Sequence, residues 1–233
     1  MQLSKRLSAV AALVTPGTVL ADVGTDHGYI PIELVERGVI PRALALDVNA
    51  GPLRRADEHI RMHQLTDYIE TRLSDGLKEV KEGEADACVI AGMGGPLTIR
   101  ILTQSRPAAQ AMGEWILQPQ SEIEAVRRFV YGEGFHIEQE DMVLEDGKYY
   151  PMMKAVRGNM DQPDGIYCTT GFRYGPCLLR DRHPVLHAYL LKEQKLYEEL
   201  GGKLRKQGVK KRLQEVEREL SLVRDALAFF DET

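Results

Sequence analysis

Short apolar runs at residues 18–23, 43–48, 86–91 and 115–117 punctuate the first two-thirds of the chain, each bounded by Gly, Pro or Asp. They are too short for helices and read as strands buried on both faces. Residues 68–73 alternate as a half-buried strand does. The stretches 29–37, 51–64, 95–105 and 121–132 between the runs carry helical spacing, with Pro52 and Glu122 near helix starts. Repeated strand–helix units admit an α/β architecture, a parallel sheet wound with helices on both faces. Segments 134–144 and 148–156, joined by Glu145-Asp146-Gly147, add an antiparallel pair at one end of the sheet.

Both ends of the chain are helical by pattern. Leu3, Leu7, Val10 and Val14 recur at helical spacing, so the first residues read as an amphipathic helix rather than a secretion signal. Near the other end, Val209, Leu213, Val216, Leu220, Val223, Leu227 and Phe230 form a heptad seam. Leu186, Leu190, Tyr197, Leu200 and Leu204 continue its register, with a gap at Glu193. The spacing predicts two helices joined around Gly201–Gly208 in an antiparallel, coiled-coil-like hairpin. A parallel dimer is the alternative, but each seam is short for a free-standing zipper, so the pattern favours a monomer. Charge divides the chain as well. Residues 1–157 carry a balance of −6 and residues 158–233 one of +1. With the turn-rich stretch from Gly158-Asn159 through Pro163-Asp164-Gly165, this places a domain boundary near 158.

The whole chain is 43% hydrophobic and 28% charged, a globular composition that excludes a disordered chain. No window reaches the roughly 18 uninterrupted apolar residues of a membrane span. Cys88, Cys168 and Cys177 show no paired metal spacing and no even count, so they read as reduced thiols of a cytosolic protein that holds no metal.

In a doubly wound sheet, ligands bind at the carboxyl ends of the strands, and four such ends here are unusual. The first reads L-A-D-V-G-T-D-H-G-Y. Counting a dinucleotide fingerprint from Gly24 puts Asp26 and Tyr29 where glycines belong, and the Asp26 carboxylate would repel a pyrophosphate. A phosphate-free cofactor with a positive centre, such as S-adenosylmethionine, fits better. The second end is A-L-A-L-D-V-N, where Asp47 lies 23 residues after Gly24, near the position of a ribose-binding acid. The third, R-L-S-D-G-L, offers Asp75 and Gly76 to an adenine edge. The fourth, D-A-C-V-I-A-G-M-G-G-P, exposes backbone at Gly92, Gly94 and Gly95. Any one of these could be a turn glycine or a helix-capping Asp; four in order are a ligand site.

The motifs A-D-V-G-T-D-H-G-Y, S-D-G-L, V-I-A-G-M-G-G and I-L-Q-P-Q, together with the helical tail, resemble the bacterial tRNA (adenine22-N1)-methyltransferases over essentially the whole chain. The resemblance implies a Rossmann-like class I methyltransferase sheet over 1–157. It adds a helical, tRNA-binding domain over 158–233 and implies methyl transfer from S-adenosylmethionine to N1 of adenine 22 in tRNA. It makes Asp26 the catalytic acid side chain and puts Asp22, Gly24, Asp47, Asp75 and Gly76 against the cofactor. Arg6, His27, Val48, Ala91 and Gly92 complete the cofactor set.

Residue chemistry is consistent with that target. Enzymes acting on an exocyclic amine commonly place Asn or Asp before two prolines after the fourth strand; here A-G-M-G-G supplies no side-chain acceptor. Adenine N1 already has a lone pair, and its methylation leaves a cation that a carboxylate at Asp26 can stabilise. The alternative is that Asp26 only caps the next helix. N1 lies on the pairing edge, so the base must be turned outward. His27, Tyr29, Tyr149 and Tyr150 are candidate stacking partners or simply core or surface aromatics, and Gln118 and Gln120 could bond a base edge or merely cap the strand. The tail run K-L-R-K-Q-G-V-K-K-R places Lys203, Arg205, Lys206, Lys210, Lys211 and Arg212 within ten residues without an acid. With Lys5-Arg6 these are the expected phosphate contacts, the rival reading being a solvated helix face. Two other readings stay open: a small-molecule methyltransferase whose tail dimerises, and a non-catalytic RNA scaffold that binds the cofactor.

Overall fold

The computed structural model describes residues 3–158 and 169–231. Cys168 and the Pro163-Asp164-Gly165 turn lie outside the described residues. The chain separates into two compact units, Met1–Met160 and Asp161–Thr233.

The first unit opens with α1 (Lys5–Ala12), whose start is capped by the Ser4 hydroxyl accepting from the Leu7 amide, and whose inner face buries Val10 and Ala11. Strand–helix units follow: β1 (Val19–Val23), α2 (Tyr29–Glu36), β2 (Arg42–Asp47), α3 (Ala50–Met62) and β3 (Ile69–Leu73). The chain then crosses to β4 (Ala87–Met93), α4 (Gly95–Gln104), α5 (Arg106–Ala111), β5 (Glu114–Pro119) and α6 (Ile123–Gly132), and ends in β6 (Phe135–Glu145) and β7 (Lys148–Arg157). The strand order is β3-β2-β1-β4-β5-β7-β6. β1 to β5 run parallel, and β7 inserts antiparallel between β5 and β6.

This order decides where a ligand can sit. The chain builds leftward from β1 and then returns to its other side with β4, so flanking connections diverge there and leave a crevice at the carboxyl ends. The central strands are apolar throughout because both faces are covered: Leu20, Ala45, Leu46, Val89 and Ile90 are all fully buried. Cys88 is buried with them, and burial pushes its thiol well above the usual range. At the antiparallel end, Trp115 and Phe135 stack with ring centroids 3.7 Å apart. There Arg127 donates to Glu140 at 2.8 Å, both side chains being 1% exposed or less.

The second unit contains α7 (Thr169–Tyr174), α8 (Pro176–Arg180), α9 (Pro184–Gln207) and α10 (Lys210–Asp231). The two long helices pack as a hairpin through Leu186, Leu190, Gly201 and Leu204 against Val216, Leu220, Val223 and Ala226. Ion pairs Arg205–Glu217 (2.9 Å) and Arg224–Glu198 (3.0 Å) bridge the same pair, as an antiparallel register requires. The joint is narrower than the expected 201–208. Gly201 lies inside α9, where a side chain would stand 3.8 Å from Val216, and the reversal is made at Gly208, whose φ of +71° ends the helix. Val209 falls in that turn and is exposed, so the seam begins at Leu213.

Candidate active site

At the crevice, β1 runs through Asp22 and Val23 into a turn of residues 24–28. Gly24, Asp26 and Gly28 are all left-handed there, with φ of +73°, +48° and +71°. The turn is drawn onto β2, since the amides of Gly24 and Thr25 both donate to the Leu46 carbonyl, at 2.8 and 2.9 Å. Asp26 thus adopts a conformation that few residues other than glycine, Asn and Asp tolerate, and it presents a side chain 59% exposed. The opening lies beneath this turn. A cavity of about 430 Å³ is lined by Arg6, Asp22, Gly24, Asp26, Tyr29 and Ala91, among others, a volume that suits a small-molecule site.

Its floor is acidic. Burial pushes the Asp22 carboxyl up to about 6, the Asp47 charge adding to this while the Thr25 side chain pulls the other way. Asp47 stands at the end of β2, where one carboxylate oxygen accepts from the Asn49 amide at 2.7 Å and the other stays available. Next to it, Val48 is exposed despite its apolar side chain. Asp75 and Gly76 follow β3, off this cavity. Asp75 is exposed and ion-paired to Lys78 at 2.5 Å, which lowers its pKa, while Gly76 is left-handed beneath Ile101, where a side chain would collide at 2.8 Å.

The opposite wall includes Ala91 of β4 and Arg6 and Leu7 of α1, with Gln118 of β5 holding Arg6. The buried Gln118 carboxamide oxygen accepts from Arg6 at 2.9 Å and from the Gly92 amide at 3.2 Å, and Arg6 rests over the Tyr150 ring at 5.7 Å. Gln118 therefore organises the wall, and its oxygen is spent on Arg6 and Gly92, which favours the structural one of its two readings from sequence. A cavity lined by the acids Asp22 and Asp26 and bare of a side chain at Gly24 fits a cationic ligand without phosphates.

A methyltransferase-domain family model matches residues 3–153. Over 232 residues, 97% of this chain and 98% of the relative, the sequence is 32% identical to the tRNA (adenine(22)-N(1))-methyltransferase of Bacillus subtilis. The chain belongs to that methyltransferase family. Two solved structures are similar over nearly their whole length. One is a Streptococcus pneumoniae chain provisionally named as a tRNA methyltransferase of the same specificity, in complex with S-adenosyl-L-methionine. It has a TM-score of 0.85 and 32% identity, over 97% of this chain and 100% of that one. The other is the M. capricolum enzyme with S-adenosyl-homocysteine, at 0.83 and 25%, over 98% and 99%.

Two further expected residues of this methyltransferase, His27 and Tyr29, follow Asp26 in sequence. His27 and Tyr29 stack at 5.0 Å with ring planes 8° apart. His59 of α3 completes a three-ring pile, 5.2 Å from His27 and 5.8 Å from Tyr29. Arg55, also on α3, pairs with Asp26 at 2.8 Å. Sequence reasoning singled out neither Arg55 nor His59, although their spacing of four puts them on one helix face.

Lys5 is exposed at the start of α1, its own amide donating to Glu145 at 2.6 Å. In the second unit, the basic residues flank the Gly208 turn. Arg205 and Arg212 are held by Glu217 and Glu215, whereas Lys203, Lys206, Lys210 and Lys211 are exposed with no ion pair among the described residues. Among the described residues no cluster of His, Cys, Asp and Glu could hold a metal, and no helix is long and apolar enough to cross a membrane.

Proposed function

We propose that the protein transfers the methyl group of S-adenosylmethionine to N1 of adenine 22 in tRNA. The observation that carries this reading is the acid-floored cavity at the β1–β4 switch, with a half-exposed carboxylate, Asp26, at its mouth. When bound, the cofactor supplies an electrophilic methyl group on a positively charged sulfur.

The chain's residues supply the rest. Asp22 and Asp47 put negative charge where a cationic cofactor sits, and the free oxygen of Asp47 suits a ribose hydroxyl. Val48 offers an apolar face to an adenine ring, with Asp75 and Gly76 beyond it. Arg6, held by Gln118, points a guanidinium into the cavity, where a carboxylate would pair with it. Asp26 accepts a hydrogen bond from the amino group of the target adenine and stabilises the positive charge that grows on its ring as N1 is alkylated. A carboxylate has about four lone-pair positions, so Arg55 leaves acceptors free. Tyr29, backed by His27 and His59, gives the extruded base a stacking surface.

We assign residues 1–157 to cofactor binding and catalysis, and the tail from 158 to tRNA binding through Lys203, Arg205, Lys206, Lys210, Lys211 and Arg212, with Lys5 as a further phosphate contact. The α10 seam is covered by α9 within the chain, which supports a monomer. We place the reaction in the cytoplasm with its substrate. Incubating the purified protein with cofactor and unmodified tRNA, then mapping the product nucleotide by nuclease digestion and mass spectrometry, tests the reading. The expected product is 1-methyladenine at position 22; methylation at another position or another atom would overturn it.

A further inference from the structure

The turn that carries Asp26 is tied to β2 at its start through the Gly24 and Thr25 amides, but these bonds do not reach the Asp26 side chain. It is bracketed by two left-handed glycines, and its central residue is a non-glycine in the same strained region. The Asp26 carboxylate is more than half exposed; from within the turn His27 Nε2 comes no closer than 3.7 Å to its Oδ2, so a close hold on the other oxygen must come from outside. That hold comes from α3. Arg55 donates from Nη2 to Asp26 Oδ1 at 2.8 Å. One helical turn later, His59 Nδ1 lies 3.1 Å from the His27 carbonyl, which can only accept, so this nitrogen carries the proton. The His59 ring also lies against both His27 and Tyr29. Residues four apart share one helix face, so the two side chains grip adjacent residues of the turn from the same side.

We infer that Arg55 and His59 are positioning residues: together they form a clasp that fixes the Asp26 carboxylate over the cavity mouth. The inference rests on the reading that Asp26 acts in methyl transfer. An exposed ion pair of this kind adds little to global stability, so the value of Arg55–Asp26 lies in orientation. It narrows the carboxylate to one arrangement before the base arrives, and misplacement of a reacting group is costly in rate.

The test is a kinetic cycle on the full-length protein with Arg55→Gln, Arg55→Lys, Asp26→Asn and the Arg55→Gln/Asp26→Asn double variant. Arg55→Gln should lower kcat by roughly tenfold or more while the KM values for cofactor and tRNA stay within about twofold. Arg55→Lys should recover part of that activity. In the Asp26→Asn background the same Gln substitution should cost almost nothing further, since its effect passes through the carboxylate. Equal losses in both backgrounds would overturn the proposal. So would a raised KM for tRNA with kcat unchanged, which would make Arg55 a phosphate-binding residue. A second measurement needs no turnover. Amide hydrogen exchange over residues 24–29 of the free protein should quicken in Arg55→Gln and in His59→Ala, and unchanged exchange in both would sink the clasp. If the wild type methylates no adenine, the functional reading falls and the exchange result alone decides the clasp.

Discussion

Asp22 and Asp47 stand at the ends of adjacent parallel strands, and the charge of Asp47 adds to burial in holding the Asp22 carboxyl up at about 6. The linkage has a definite sign. An acid whose pKa rises on folding, here from 3.8 to about 6, opposes folding once both states are ionised, and the opposition fades as pH falls from 6 through 4. Asp22→Asn should therefore be more stable than wild type near pH 8, by about 1–3 kcal/mol, with the difference closing in acid. Denaturant titrations across that range check it. The variant should also bind the cationic cofactor more weakly, and wild-type affinity should fall below about pH 6, where Asp22 takes up a proton. Calorimetry that found affinity flat down to pH 5 would remove Asp22 from the cofactor site.

Asp47 has two jobs that one substitution can separate. Its carboxylate accepts from the Asn49 amide and so shapes the turn, while its remaining oxygen is open to a ligand. Asp47→Asn keeps an acceptor for the turn but loses the charge. It should leave the thermal midpoint nearly unchanged and weaken cofactor binding by about 10-fold or more, as the loss of a charged hydrogen bond does. Unchanged affinity in calorimetry would return Asp47 to a purely structural role.

Asp26→Asn is near-isosteric and removes the charge at the cavity mouth. Turnover should fall about 100- to 1000-fold, the usual loss for an interaction made mainly in the transition state, with cofactor and tRNA binding retained. Single-turnover methylation at close to the wild-type rate would leave Asp26 as an element of the turn and nothing more.

The basic cluster at the hairpin turn makes a prediction about salt. Replacing Lys203, Arg205, Lys206, Lys210, Lys211 and Arg212 by Gln should spare the fold, because none of them belongs to the buried seam. It should weaken tRNA binding and flatten its salt dependence, by roughly one unit of log–log slope for each phosphate that is no longer neutralised. Since Arg205 and Arg212 already have acidic partners, Lys203, Lys206, Lys210 and Lys211 should carry most of that change. A slope equal to wild type in filter-binding titrations would send the search to Lys5 and Arg6.

The sheet was readable in the sequence because a strand covered on both faces must be apolar along its length, as residues 43–46 and 87–90 are. The hairpin was readable for a similar reason, its seam repeating with a strict period. Short helices left no such mark: α5, α7 and α8 have six residues or fewer, less than two turns in which a period could show. Gly201 misled because glycine usually loosens a helix, whereas here it lies buried inside α9, facing Val216 and Leu213 of α10. In the site, Asp26 and Asp47 were legible as acids where strands end. Arg55 and His59 were not, because they reach Asp26 and His27 across 29 and 32 residues of chain, and only the fold brings them together. Nor could the sequence tell that Gln118 spends its oxygen on Arg6 and Gly92.

The enclosed pair Arg127–Glu140 bears on how sequences of this kind can drift. Removing one member of a buried pair typically costs roughly 3–5 kcal/mol, a large share of a typical domain's margin of about 5–15 kcal/mol. Replacing both with apolar residues of similar size can be neutral. The single-step intermediates thus lose much of the fold's margin while the double change need not. Among related chains these two positions should therefore be inherited as a unit, charged together or greasy together, with mixed combinations missing.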